Sequence, residues 1–340
     1  MKFFITGERG FIARNLRTVL TARGHDVFSS QNNPATSRMA KVHLDPNLPL
    51  GEREPCIHKN SAGDWAKLFE LEQIEVVIHN AAVVGTDVVA LHPTEAVLSN
   101  VQGTHHIVKA CEIAKVPVCY MGTSVVYRVE RYQDTEIDES SEILPKTFYG
   151  VLKNASDQIV STSRTDASIV RPLFAYGGVG DMNSLIAKML FSSWDKREKL
   201  PMFLDPGKIK DYIHVVDFCE AVALVCERKL WNEDLIVSAQ SPMSIRDVVE
   251  VVRKHCNPDW PLEKFLTWHP EMDYSGNHRL SSSKFRALTG WSPRISLERG
   301  VELAAWDIRG DVLSLDRSDY DPMKNLTRAE ARGLNLKEHF

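Results

Sequence analysis

Short runs of β-branched and aromatic residues alternate with longer helical patterns through the first 175 residues of this 340-residue chain. No other feature restricts the fold as much, because strands that alternate with helices are joined by crossovers and pair in parallel. The strands read as Lys2 to Thr6, His25 to Ser29, Val76 to His79, Val118 to Gly122 and Ser168 to Val170. Between them, Phe11 to Arg23, Trp65 to Leu71, Asn100 to Ala114 and Tyr149 to Thr162 carry apolar residues at helical spacing. The expected fold class is therefore α/β, a doubly wound parallel sheet over residues 1–175, to which some later segments return.

The prolines at 34, 46, 49 and 55 break the rhythm, so Gln31 to Pro55 reads as a long loop or insertion. Past Pro172 the pattern turns irregular, with a helix over Asn183 to Trp194 and short strands near Phe203 and Ile236. We read 176–310 as a smaller mixed region and 311–340 as a C-terminal extension in which Thr327 to Arg332 forms a short peripheral helix.

Composition supports an ordinary globular chain: 43% hydrophobic and 25% charged residues, with 18 glycines and 16 prolines, exclude disorder and collagen. A formal charge of −4 supplies no positive field for a nucleic-acid backbone or an anionic membrane, so neither is expected as a partner. No stretch approaches the ~20 consecutive apolar residues of a membrane helix. The apolar start, Met1 to Ile5, stops at Thr6 and reads as a first strand rather than a signal peptide, which points to a cytoplasmic protein. Six scattered cysteines without a C-x-x-C pair fit buried free thiols, and no metal site is expected.

The first residues that carry chemistry are Gly7-Glu8-Arg9-Gly10-Phe11-Ile12-Ala13, set between the first strand and the first helix. Glycine at 7 allows a tight turn, glycine at 10 lets the backbone approach a pyrophosphate, and the helix start turns its N–H groups toward phosphate. A dinucleotide is the expected cofactor and the sheet is of Rossmann type. The second strand ends in Ser29-Ser30-Gln31 where an acid would accept from the ribose of NAD. Those hydroxyls, with Arg9 and Arg38, lean the choice between NAD and NADP toward NADP.

Tyr149 and Lys153 stand four apart at the start of a helix, on one face, where a cation stabilises a phenolate. Thr123 and Ser124 lie at the carboxyl edge of the strand that begins at Val118, where open α/β sheets bind ligands. The glycine turn, Thr123, Tyr149 and Lys153 together resemble the extended short-chain dehydrogenase/reductase family, especially its nucleotide-sugar epimerases, dehydratases and reductases. Further matches run in order through about residue 305: His79-Asn80-Ala81-Ala82, Asn100 to Thr104, Arg171 to Gly177, Lys210 to Asp217, and Leu288 to Pro293.

The resemblance implies that Tyr149 is the general acid/base, that Lys153 binds the nicotinamide ribose and lowers the tyrosine pKa, and that Thr123 orients the reacting oxygen. It also implies that Ala81 and Ala82 line the cofactor, that Asn100 supports the strand ends, and that Ser124, Phe174, Lys210 and Arg279 meet a nucleotide-sugar substrate. A homodimer through the helices Leu91–Ala114 and Tyr149–Thr162 is implied as well.

Several departures from the family pattern narrow the chemistry. Dehydratases of the family place an Asp-Glu pair where Ser124 and Val125 stand, and the 3,5-epimerase/reductases place cysteine at Val125. Many members place asparagine at Phe174 and arginine at Lys210, and a lysine keeps the charge but not the bidentate fork. The expected activity is inversion of a carbinol centre such as C4 through a transient ketone. The alternatives are reduction of a keto-sugar by NADPH, reduction of a non-sugar carbonyl, and a non-catalytic dinucleotide-binding module.

Overall fold

A computed structural model describes residues 1–29, 60–132, 135–178, 180–181, 184–195, 200–256, 261, 266–270 and 276–313. The Gln31–Pro55 stretch, Arg38 and the expected helix at Thr327–Arg332 lie outside them. In chain order the elements begin with β1 (Lys2–Thr6), α1 (Phe11–Ala22), β2 (Asp26–Ser29), α2 (Ala62–Leu71), β3 (Val76–His79), α3 (Thr86–Leu91), α4 (Pro93–Ala96) and α5 (Gly103–Ala114). They continue with β4 (Val118–Met121), α6 (Phe148–Ser161), β5 (Ala167–Arg171), β6 (Ala175–Tyr176), α7 (Leu185–Asp195), β7 (Leu200–Met202), β8 (Ile209–Lys210) and β9 (Ile213–His214). The last are α8 (Val215–Glu227), β10 (Asp234–Ile236), β11 (Met243–Ser244), α9 (Ile245–Cys256), β12 (Leu266–Trp268), α10 (Ser283–Thr289) and α11 (Leu297–Leu313).

The chain divides into two units, the first formed by Met1–Arg128, Asp138–Pro172 and Glu220–Val237. Its six-stranded sheet has the order β10-β5-β4-β3-β1-β2, and every pairing in it is parallel. Parallel strands are covered on both faces, which explains why β3, β4 and β5 are buried along their whole length. One face packs Phe4, Trp65, Phe69, Ile107, Cys111, Tyr120 and Ile169 into a single cluster. The edge strand β10 is the short strand read near Ile236, from chain well beyond residue 175.

Two local details differ from the expectation. Helix α2 starts at Ala62, three residues early, because Ser61 and Asp64 cap it reciprocally: Ser61 Oγ accepts from the Asp64 N–H and Asp64 Oδ2 accepts from the Ser61 N–H. The expected unbroken helix over Leu91–Ala114 is instead interrupted at His92, whose φ is −129°, and restarts at Pro93 in the first helical position. A π-helical turn over Val97–Gln102 then joins α4 to α5 and carries the buried Asn100.

The second unit comprises Val129–Ile137, Leu173–Cys219 and Ser238–Phe340. Three two-stranded sheets (β11-β8, β12-β7 and β6-β9) and the helices α7, α9 and α11 surround a core that includes Tyr176, Ile186, Leu190, Tyr212, Val248, Val252 and Val301. Helix α11 crosses residue 310 and runs to Leu313, so the C-terminal region expected to start at 311 begins inside a helix.

Candidate active site

The glycine turn is shaped by its neighbours in the first unit. Gly7 has φ +69°, and a Cβ there would lie 2.7 Å from Ala81 Cα and 2.9 Å from Ala81 N, so no side chain fits. Gly10 donates its N–H to Gly7 O at 2.9 Å and gives α1 no side-chain cap, and no acid stands in the first turn. The positive end of the helix is thus left for an anion. Half-buried Arg9, Phe11 and Ile12 border the turn, as do the half-buried Ala81 and Ala82 on the loop after β3. This cradle, closed by backbone, fits the pyrophosphate of a dinucleotide.

Ser29 departs from its expected role. It is fully buried, and its Oγ accepts from Arg17 Nη2 at 2.6 Å, so the hydroxyl faces α1 rather than a cofactor ribose. Arg17, which also donates to Val27 O at 3.3 Å, is the cation that stands at the end of β2. Its signal in the sequence was faint, one arginine on a helix whose register against β2 is a tertiary fact.

Thr123, Tyr149 and Lys153 come together at the carboxyl end of β4. Thr123 has extended backbone and caps the short turn Ser124–Val126, its Oγ1 accepting from the Val125 N–H at 3.3 Å. The Thr123 hydroxyl also acts on the Tyr149 phenol and draws its pKa down. Helix α6 starts where it does because Thr147 Oγ1 accepts from the Gly150 N–H at 3.1 Å, which fixes Tyr149 in the first turn. The Tyr149 ring packs against Val89, Ala96 and Leu152. Burial pushes the phenol up to about 12, opposed by the Thr123 hydroxyl.

Lys153 is buried, donates to Met121 O at 2.6 Å and stands 4.3 Å from the centre of the Tyr120 ring. Burial pulls the ammonium down to about 8, while Asp157 pulls it up. The influence expected from Lys153 on Tyr149 is replaced by that of Thr123, because the lysine points at a backbone carbonyl and burial dominates the phenol. Asp157 follows at the same four-residue spacing as Tyr149 and Lys153, so all three share one face of the helix. Its carboxylate meets Arg171 Nη1 at 2.6 Å, and Arg171 clasps Asp234 with Nε and Nη2, each at 2.6 Å. Arg171 is 1% exposed, so this cluster holds a full charge under the site.

Asn100 holds the loop after β3 by both amide atoms: Oδ1 accepts from the Val83 N–H at 2.7 Å and Nδ2 donates to Val83 O at 2.9 Å. Ser124 does not reach outward as a substrate contact. The turn buries it completely, and its Oγ has no hydrogen-bond partner among the described residues.

Within the second unit, Phe174, Lys210, His278 and Arg279 are brought together. Lys210 was expected to offer a charge to a diphosphate, but it is 3% exposed and its Nζ is held by Gly276 O and His278 Nδ1, each at 3.0 Å. The Phe174 ring covers it at 5.5 Å and packs against Tyr212 and His278. Phe174 adopts φ +50°, a left-handed conformation that suits asparagine better than an aromatic residue. Arg279 is half-buried and its Nε has no hydrogen-bond partner among the described residues.

No described helix is long and apolar enough to cross a membrane. No cluster of metal-binding side chains occurs among the described residues.

Comparison with known proteins places this geometry. A UDP-glucuronate 4-epimerase of Thermodesulfobacterium geofontis is 23% identical over 323 residues, covering 88% of this chain and 94% of its own. The structure of a UDP-glucose 4-epimerase from Thermotoga maritima with UDP-glucose superposes with a TM-score of 0.75 at 18% identity, covering 92% of this chain and all of its own. That of RMD from Pseudomonas aeruginosa with NADPH gives 0.73 at 18% identity, over 91% of this chain and 99% of its own. The family described as NAD-dependent epimerase/dehydratase matches residues 3–237, more than half of the sequence. The fold is accordingly that of the extended short-chain dehydrogenase/reductases, its cofactor is NAD or NADP, and the chain, an enzyme, belongs to the NAD-dependent epimerase/dehydratase family.

Proposed function

We propose that the protein is a nucleotide-sugar epimerase that inverts a carbinol centre such as C4 through a transient ketone. The observation that carries this reading is the set of Thr123, which acts on the Tyr149 phenol at the end of β4, and Tyr149 itself, with Lys153 one helical turn further on. No second acid/base pair stands beside it, because Ser124 and Val125 occupy the positions where the family's dehydratases place theirs. Bound NAD or NADP supplies a site that accepts a hydride and returns it.

The protein's own residues handle the proton and the geometry. Tyr149 takes the hydroxyl proton as the ketone forms and gives it back afterwards, and Thr123 holds the reacting oxygen beside the phenol. Lys153, held in place by Met121 O, grips the nicotinamide ribose. Arg279 and the aromatic wall at Phe174 receive the nucleotide diphosphate. The cofactor turn is built from Gly7, Arg9, Gly10, Phe11 and Ile12, with Ala81 and Ala82 opposite and Asn100 holding their loop.

The test is direct. The purified protein is denatured and the released dinucleotide identified, and the native protein is incubated with UDP-glucose and UDP-glucuronate. Tightly bound NAD and a C4 epimer in the NMR spectrum are expected. An empty site that binds NADPH, with consumption of a keto-sugar, would overturn the reading in favour of a reductase. Arg17 at the end of β2, at hydrogen-bond distance from Ser29, favours that second reading, since a guanidinium suits a 2′-phosphate.

A homodimer is part of the proposal. Val84, Val88, Leu91, Phe148 and Val151 are exposed apolar residues on α3, α6 and their flanks, and α3 packs on α6. Leu91→Glu should convert a dimer to a monomer in light scattering. We place the enzyme in the cytoplasm, where the free thiols at Cys111, Cys119, Cys219, Cys226 and Cys256 stay reduced.

A further inference from the structure

Beneath the sheet edge that carries the glycine turn runs a chain of buried hydrogen bonds that the proposed chemistry does not use. Thr6 is the last residue of β1, immediately before Gly7. Its Oγ1 accepts from the N–H groups of Asn80 at 3.1 Å and Ala81 at 3.0 Å, which fills both lone pairs. The one remaining element of that hydroxyl, its proton, lies toward His79 Nδ1 at 2.8 Å. On the other side of the imidazole, Nε2 stands 3.0 Å from Thr104 Oγ1, and Thr104 donates its own proton to Asn100 O at 2.5 Å.

These contacts leave one arrangement of protons. Nδ1 accepts from Thr6, so Nε2 carries the hydrogen and donates to Thr104. The ring is fully buried, and burial together with the charge of Lys153 pushes it down to about 3, which agrees with a neutral imidazole. Asn100 O also lies 2.7 Å from Ser156 Oγ on α6, whose one proton it shares with Leu152 O at 2.9 Å. Ser156 lies seven residues after Tyr149 and three after Lys153 on that helix. The relay therefore joins three parts of the site: the strand that opens the glycine turn, the loop of Ala81 and Ala82, and the helix of Tyr149 and Lys153.

We propose that His79 is a positioning residue, a neutral Nε2–H pin that sets the dinucleotide turn and the catalytic helix in one frame. The proposal rests on reading α6 as the helix that bears the catalytic pair. Its two arms act on different steps. The Thr6 arm fixes Ala81 against Gly7, where a dinucleotide is gripped. The Thr104 arm fixes Asn100 and Ser156, and through them the height of Tyr149 at the sheet edge.

Two substitutions separate the arms by stereochemistry. His79→Asn can place an oxygen acceptor where Nδ1 sits, keeping the Thr6 arm and cutting the Thr104 arm. His79→Gln can place an amide N–H near Nε2, keeping the Thr104 arm and cutting the Thr6 arm. With purified variants, His79→Gln should weaken dinucleotide binding roughly tenfold, and His79→Asn should leave binding within about twofold while lowering kcat roughly tenfold. Equal effects in both variants, or a loss confined to the melting temperature, would overturn the proposal.

Nitrogen NMR of the wild-type chain provides the arm that no folding failure can remove. The expected result is a His79 ring protonated at Nε2 and bare at Nδ1, unchanged across neutral pH. A proton on Nδ1, or a titration between about pH 6 and 7, overturns the assignment. If Tyr149→Phe left activity intact, the catalytic reading would fall, while the tautomer and the dinucleotide affinity would still report on His79 by themselves.

Discussion

The two units treat their functional groups in opposite ways. In the first, groups that face the chemistry are held by fixed partners: Met121 O on Lys153, and both atoms of the Asn100 amide on Val83. In the second, several residues carry strain and open valences. Phe174 and Gln240 sit at φ +50° and +52°, and Arg279 Nε and Gln240 Oε1 are buried without partners among the described residues. The contrast has a limit in Ser124 Oγ, Tyr127 Oη, Asn154 Oδ1 and Asp157 Oδ1, buried atoms of the first unit that also lack partners among the described residues. The difference teaches where function is fixed and where it is open to change: hydride and proton transfer demand preorganised geometry, whereas recognition of a variable substrate tolerates groups that await a ligand.

The sharpest way to break the comparison is at the preorganised pair. Tyr149→Phe removes the one proton carrier while the ring still fills its place against Val89 and Leu152. The expected loss in kcat is about 10²- to 10⁴-fold with dinucleotide binding retained. A variant of unchanged activity would mean that the first unit's careful positioning serves something else.

Next in size is the charge cluster below that pair. Arg171→Ala leaves Asp157 buried and unpaired, with its carboxyl already pushed up by burial and held back by Arg171. The expected cost is about 3–5 kcal/mol in urea unfolding. Asp234 is 31% exposed on its side chain, and Asp234→Asn should cost clearly less, because water can take part of its place.

A third prediction concerns pH. The Lys153 ammonium is drawn from 10.5 down to about 8 by burial, so it is charged below that value and neutral above it. Any rate that depends on its charge should fall as pH rises through about 8, and Lys153→Met should abolish that limb along with most activity. The stability effect has the opposite sign. Between about pH 8 and 10.5 the unfolded chain binds a proton that the folded chain does not, so this residue's contribution to stability increases with pH across that window. Urea midpoints of the wild type and Lys153→Met, compared at both ends of the window, measure it.

Much of the first unit was legible because its strands need no partner information to be recognised. Residues 76–78 and Val118–Met121 are short apolar runs, the turn glycines follow a strand at once, and Tyr149 and Lys153 share a helix face. What escaped were relations made by the third dimension. Arg17 meets Ser29 only because α1 packs beside β2, His79 meets Thr104 only through the packing of α5 on β3, and the π turn at Val97–Gln102 has no periodicity of its own. In the second unit the apolar runs are two or three residues long, too short for any pattern to fix strand partners such as β8 and β11. The burial of Lys210 was equally hidden, since it depends on Gly276 and His278 more than sixty residues away.

The smallest effect tests whether strain in the second unit is compensated residue by residue. Gln240→Gly removes a left-handed side chain, worth roughly 1–3 kcal/mol, and an orphaned buried acceptor, worth about 1–3 kcal/mol, at a cost of about 1 kcal/mol in backbone entropy. The protein should gain on the order of 1 kcal/mol in urea unfolding. Phe174→Gly relieves the same backbone strain but loses ring contacts with Tyr212 and His278, each worth about 0.5–1.5 kcal/mol, and the cover over Lys210. Those terms cancel, so its stability should stay near the wild-type value or fall below it. Equal stabilisation by both substitutions would mean that the Phe174 ring contributes nothing to the fold.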